Sequence, residues 1–101
     1  MPKQIKPMTV DERIAHKSEL LGRLDKGEIE LGQAIREMRE GYAGLTQKKF
    51  AELAKISMST LSAVEKDADT ANVRTLKKIL TLFGMTISLT NKFSKPKIDE
   101  H

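Results

Sequence analysis

Residues 46–65, TQKKFAELAKISMSTLSAVE, restrict the fold of this chain more than any other stretch. Thr46 and Ser57 each stand just before a short run of helical periodicity, where a side-chain oxygen can accept an orphan backbone N–H. Phe50, Ala51 and Ala54 share one face of the first run; Leu61 and Val64 share one face of the second. Only Lys55 and Ile56 lie between the first run and Ser57. The pattern predicts two short helices joined by a tight turn and buried on a common side, with Ala51 small because the helices cross there. The other side of the second helix presents Ser57, Met58, Ser59, Ser62 and Ala63, side chains slim enough to let its backbone approach another molecule closely.

The flanks extend the helical pattern. Thr9 and Glu12 have capping-box spacing ahead of a helix running to about Lys26, with Val10, Ile14, Leu21 and Leu24 on one face and Gly27 as its stop. A second helix is expected over 28–40 through Leu31, Ala34, Ile35 and Met38, broken by Gly41-Tyr42-Ala43-Gly44. Asp67 to Ala71 is expected to be a loop. Asn72 caps a fifth helix to Phe83, buried through Val73, Leu76, Ile79, Leu80 and Phe83, and Gly84 ends it. The period then changes. Met85, Ile87 and Leu89 alternate with Thr86, Ser88 and Thr90, predicting a half-buried strand over 85–90. A lone strand leaves its N–H and C=O groups unpaired, and pairing with a second copy across a two-fold axis resolves this. The expected architecture is all-α: five helices and one short C-terminal strand that pairs in a homodimer. Residues 1–8 are expected to be disordered and 9–27 to form an N-terminal helix. The main domain spans 28–84, a dimerisation strand 85–91, and a flexible tail 92–101.

Composition narrows the chemistry. With no Cys there is no disulfide framework and no thiolate metal site. His16 and His101 are far apart in sequence, lack a ligand or nucleophile partner, and are expected to be solvated. No nucleophile–base pair, metal cluster or phosphate loop can be assembled, so neither an enzyme nor a cofactor is expected. No run approaches membrane-spanning length and no secretory signal begins the chain, so a soluble cytoplasmic protein without membrane partners is expected. The net charge is +4, but residues 28–67 hold six cations against seven anions. Bulk charge therefore does not argue for a polyanion partner; the placement of single lysines does. Lys48 and Lys49 stand in a first helical turn, where cations oppose the helix dipole, and Lys49 takes the place of a capping-box Glu. A phosphate docked there would reverse the sign of that effect.

Leu45-Thr46-Gln47, Ala51, Ile56-Ser57, Thr60-Leu61-Ser62, Val64-Glu65 and Asn72-Val73-Arg74-Thr75-Leu76 resemble the lambda-repressor/Cro type of helix-turn-helix, the XRE family. The resemblance covers about 31–84. The following segment, Met85, Ile87 and Leu89, is similar to the terminal dimer strand of HipB-type antitoxins. Two departures stand out. Lys55 occupies a turn position where the family has Gly, so a left-handed conformation would cost about 1 kcal/mol and the turn is expected to be shaped differently. The Arg39–Gly44 segment is one residue longer, which predicts a bulge near Tyr42.

The resemblance implies a sequence-specific DNA-binding regulator, a repressor, with helix 57–66 in the major groove of a palindromic operator. Ser57, Met58, Ser59, Ser62 and Ala63 would face bases; Met58 and Ala63 suit thymine methyls, and the serines are permissive. Thr46, Gln47, Lys48, Lys49, Lys66 and Arg74 would touch the backbone. Arg39 and Glu65 fall at positions that form a structural salt bridge in the resembled repressors. The antitoxin likeness adds a HipA-like toxin kinase as a partner. The alternatives are a stand-alone or phage-type regulator without a toxin, and a protein-interaction module that has lost DNA.

Overall fold

The computed structural model describes residues 8–89. Among the described residues five α-helices run in chain order: α1 (Val10–Asp25), α2 (Leu31–Glu37), α3 (Gln47–Ala54), α4 (Met58–Lys66) and α5 (Val73–Thr81). A π-helical turn, Met38–Ala43, extends α2, and a 3-10 turn, Ala68–Thr70, follows α4. Side chains close the start of most of these elements. The Thr9 hydroxyl accepts from the Glu12 N–H at 3.1 Å, and the Thr9 N–H donates to Glu12 Oε1 at 3.0 Å. Thr46, Ser57 and Asn72 likewise accept from the N–H three residues on. Each such cap satisfies a donor that the helix cannot bond internally.

The helices surround one core, in which Leu20, Ile35, Met38, Phe50, Leu61, Val64, Ile79 and Phe83 are essentially sealed from solvent. Phe50 and Phe83 stack at 5.2 Å between ring centres, and Tyr42 meets the Phe83 ring edge-on at 6.2 Å. These contacts join α3, the end of α5 and the π-helical turn.

The second helix departs from its expected 28–40 span. At the end of α1, Glu28 N–H bonds back to the Arg23 carbonyl and Gly27 N–H to that of Leu24, with Gly27 at φ 75°. This closure occupies Glu28, Ile29 drops into the core, and the helix starts only at Leu31. The break expected at Gly41–Gly44 falls at Gly44 alone, where φ is 66°. The extra residue predicted to bulge near Tyr42 is taken up by the π-helical turn, whose wider hydrogen-bonded ring absorbs one insertion without leaving the helix.

α1 turns a different face inward from the one its apolar residues suggested. Leu20 is buried and Leu24 packs on the core, whereas Val10, Ile14 and Leu21 are exposed. Polar contacts accompany this rotation. Lys17 donates through Nζ to the Phe83 carbonyl at 2.9 Å, and Arg23 pairs with Glu37 at 3.3 Å. Lys17 Nζ also lies 5.2 Å from the centre of the Tyr42 ring. His16 is not a solvated residue: its ring packs on Gly41, and its Nδ1 is buried with no hydrogen-bond partner among the described residues. Gly41 lacks the Cβ that would collide with that ring.

The strand expected over 85–90 does not form among the described residues. Gly84 and Met85 close the end of α5 by bonding to Thr81 and Leu80. Among the described residues no strand lies beside those that follow, and a strand needs a partner for its backbone groups. Residues 1–7 of the expected disordered segment, Thr90, the flexible tail and His101 lie outside the described residues. Among the described residues, no helix is long and apolar enough to cross a membrane.

Candidate nucleic-acid interface

α3 and α4 are set at a fixed angle by a tight turn and a buried ion pair. In the turn, Lys55 N–H bonds to the Glu52 carbonyl and Ile56 N–H to that of Ala51, the closure that a left-handed residue allows. Lys55 adopts φ 60°, ψ 45°. The turn is therefore not reshaped around Lys55; Lys55 takes the left-handed conformation that glycine adopts at Gly27, Gly44 and Gly84. Burial of Ala51, Ala54, Leu61 and Val64 in the core on either side leaves the backbone no cheaper path.

The ion pair spans three elements. Arg39, in the π-helical turn, donates Nε to Glu65 Oε2 at 2.6 Å and Nη2 to Glu65 Oε1 at 3.2 Å. Its Nη1 donates to the Leu45 carbonyl at 2.8 Å. Gln47, at the start of α3, donates Nε2 to Glu65 Oε1 at 3.0 Å. The Arg39 and Glu65 side chains are only 6% and 4% exposed. A two-pronged guanidinium–carboxylate contact fixes orientation as well as distance, so the end of α4 is held against the start of α3. Gln47 was expected at a phosphate; one of its amide hydrogens is committed to Glu65, and the other remains for an outside acceptor.

Met58, Ser59, Ser62, Ala63 and Lys66 follow one another along α4 at helical spacing. All are exposed except Ser62, which is half-buried. Leu61 and Val64 hold the opposite side in the core. Ser57 is exposed, but its hydroxyl accepts from the Thr60 N–H and donates to Thr60 Oγ1 at 2.7 Å. Its hydroxyl is largely spent on the cap. At the start of α3, Thr46, Lys48 and Lys49 are exposed. The Thr46 hydroxyl accepts from Lys49 N–H at 3.2 Å and can still donate outward. Arg74 is exposed at the start of α5. Met85 is half-buried, while Ile87 and Leu89 are exposed.

Two structural features escaped the residue patterns. Gly32 lies where a Cβ would stand 2.5 Å from the Val64 carbonyl oxygen and 2.8 Å from that of Glu65, so α2 crosses the end of α4 at backbone contact. A glycine inside a helical pattern was its only signal. The second is a groove between α3 and α5 onto which Lys55, Arg74, Lys77 and Lys78 converge. Arg74, Lys77 and Lys78 share one face of α5 at i, i+3 and i+4, a local signal, whereas Lys55 reaches them only through packing of the end of α3.

The fold and turn define a helix-turn-helix protein: two short capped helices, a left-handed residue between them, and a second helix with one face free. A family model described as helix-turn-helix matches residues 35–89, more than half of the chain, and the chain belongs to that family. It is similar to the HTH-type transcriptional regulator PuuR of Escherichia coli (strain K12), with 35% identity over 66 residues. It is equally similar to the regulator of the same name from Shigella flexneri. The match takes in 65% of this chain but only 34% of each relative, so the chain spans about a third of their length. No solved structure matches.

Proposed function

We propose that this protein is a DNA-binding transcriptional regulator that represses by occupying an operator. One observation supports this most: the slim stripe of exposed Met58, Ser59 and Ala63 with half-buried Ser62, on a helix held in place by the buried Arg39–Glu65–Gln47 contact. A helix with this face can enter a major groove closely, and its hydroxyls and methyl-sized groups match base edges and thymine methyls. Ser57, Met58, Ser59, Ser62 and Ala63 face the bases. Thr46, Gln47, Lys48, Lys49, Lys66 and Arg74 hold the phosphates on either side. Membership of the helix-turn-helix family, and the likeness to a protein named as a transcriptional regulator, support the same reading.

Residues 28–84 act as the DNA-binding unit, and the protein works in the cytoplasm as a homodimer on a palindromic site. Alternating Met85, Ile87 and Leu89 pair with the same segment of a second copy, which gives their backbone groups the strand partner that they do not find among the described residues. An antitoxin role, with a HipA-like kinase as partner, is a narrower form of the same proposal and rests on the sequence likeness of residues 85–89. Adjacency of a kinase-like toxin gene distinguishes it from a stand-alone regulator.

The test is selection of bound duplexes from a random pool, followed by a salt titration on the selected site. A symmetric motif, and affinity that falls steeply with salt, are expected. Weak binding that is flat with salt would instead favour a protein-interaction module.

A further inference from the structure

We infer that the groove between α3 and α5 is a docking site for an acidic amphipathic helix of a partner protein. The groove holds about 370 Å³ and is lined by Leu53, Ala54, Lys55, Arg74, Lys77, Lys78, Thr81 and Leu82. Four of these eight side chains are cationic and none is acidic. Among the described residues none of the four cations is in an ion pair; the Lys78 ammonium makes one long contact, 3.5 Å, to the Lys55 carbonyl. Like charges gathered without counter-charge repel one another, and an anionic partner relieves that repulsion.

The apolar residues decide which anion fits. Leu53 is 49% exposed and Leu82 37% exposed, and both line the groove beside the cations. A phosphate backbone has nothing to bury against them. An amphipathic helix with leucines on one face and carboxylates flanking them covers the leucines and pairs with the lysines together. A second copy docking groove to groove is excluded by charge, because a two-fold axis there would bring eight cations face to face. Of the lining residues only Arg74 is also among the proposed DNA contacts, so the site is separable from α4.

The experiment uses the full chain and a synthetic helical peptide, blocked at both ends, with leucines at i, i+3, i+4 and i+7 and glutamates beside them. A control peptide replaces the leucines with serine. Amide shifts are followed by NMR, and affinity by calorimetry, with and without the selected duplex. The expected result is perturbation centred on Leu53, Lys77, Lys78 and Leu82, and binding at least about tenfold tighter than the control. The Lys77→Glu/Lys78→Glu variant is expected to lose binding, and Leu82→Ser to weaken it, each with a native circular dichroism spectrum. Peptide affinity is expected to persist on the DNA-bound protein. Mapping on the unmodified chain keeps the test valid if a variant fails to fold. Equal binding of the serine control would make the groove a general polyanion surface and overturn the proposal. So would shifts elsewhere, or displacement of the peptide by duplex with these same amides in its footprint. Failure to bind any duplex would count against the regulator reading and leave peptide binding as a separate result.

Discussion

Arg39 and Glu65, 26 residues apart in sequence, meet in two parallel hydrogen bonds inside the protein, 2.6 and 3.2 Å long. The contact fastens the end of α4 to the π-helical turn, and through Gln47 to the start of α3. The proposed reading helix therefore depends for its angle on a buried charge pair as well as on its own apolar face.

Among the described residues, Glu65→Ala leaves the buried Arg39 guanidinium with only the Leu45 carbonyl at 2.8 Å and the Glu40 carboxylate at 3.6 Å, and is expected to cost about 3–5 kcal/mol in urea unfolding. Arg39→Met/Glu65→Leu removes both charges and should recover most of that loss, because neither partner is then left unpaired. A single-variant loss below about 1 kcal/mol would mean that solvent reaches the pair.

Gly32→Ala should be far more damaging than Gly41→Ala. The added methyl at Gly32 meets two backbone carbonyls of α4, which cannot move without shifting Glu65. Overpacking of this kind costs about 1–3 kcal/mol or more. At Gly41 the obstacle is the His16 ring, which can rotate away. Thermal unfolding of the two variants side by side checks the order.

Lys55→Gly should stabilise the fold by about 0.5–1 kcal/mol, because Lys55 holds φ 60° in a turn whose hydrogen bonds suit glycine. A rise in melting temperature is the readout. A fall would show that the lysine side chain contributes more than its backbone costs.

Lys48→Ala/Lys49→Ala should separate stability from binding. Removing two cations from the start of α3 relieves an unfavourable dipole interaction by roughly a few tenths of a kcal/mol each. The same change should weaken duplex binding across all sequences and lower the salt slope by about 1 for each phosphate that is no longer neutralised. Ser59→Ala and Ser62→Ala are expected to do the reverse, altering sequence preference more than nonspecific affinity. Reduced stability together with unchanged binding in the lysine pair would remove these residues from the interface.

Ile87→Asp should shift the protein towards monomer in analytical ultracentrifugation, since it places a charge on the apolar side of the proposed paired strand. An unchanged sedimentation profile would remove that strand from the dimer.

Much of the helical scaffold was legible because its signals are local. Thr9, Thr46, Ser57 and Asn72 cap helices through hydrogen bonds spanning three residues, and short-range spacing is enough to see them. Gly27, Gly44 and Gly84 stop the chain by backbone conformation, which is also a local property. Local signals failed where a distant group set the outcome. The helix over 28–40 gave up its first turn to a hydrogen bond back to Arg23, and the loop expected at Tyr42 became a π-helical turn. α1 buried Leu20 in place of Val10 and Ile14, with Lys17 bonded to the distant Phe83 carbonyl.

The amino-acid order alone determined where α1, α3, α4 and α5 start and which face of α4 is slim and polar, since caps, glycines and apolar spacing act within a turn or two of chain. Tertiary structure alone decided that Lys55 would tolerate a left-handed backbone, that Gly32 would touch the end of α4, and that Lys55 would join the Arg74, Lys77 and Lys78 face of α5 in one groove. Those outcomes depend on how helices distant in sequence pack, and packing energy, summed over the whole core, outweighs the local preference of any one residue.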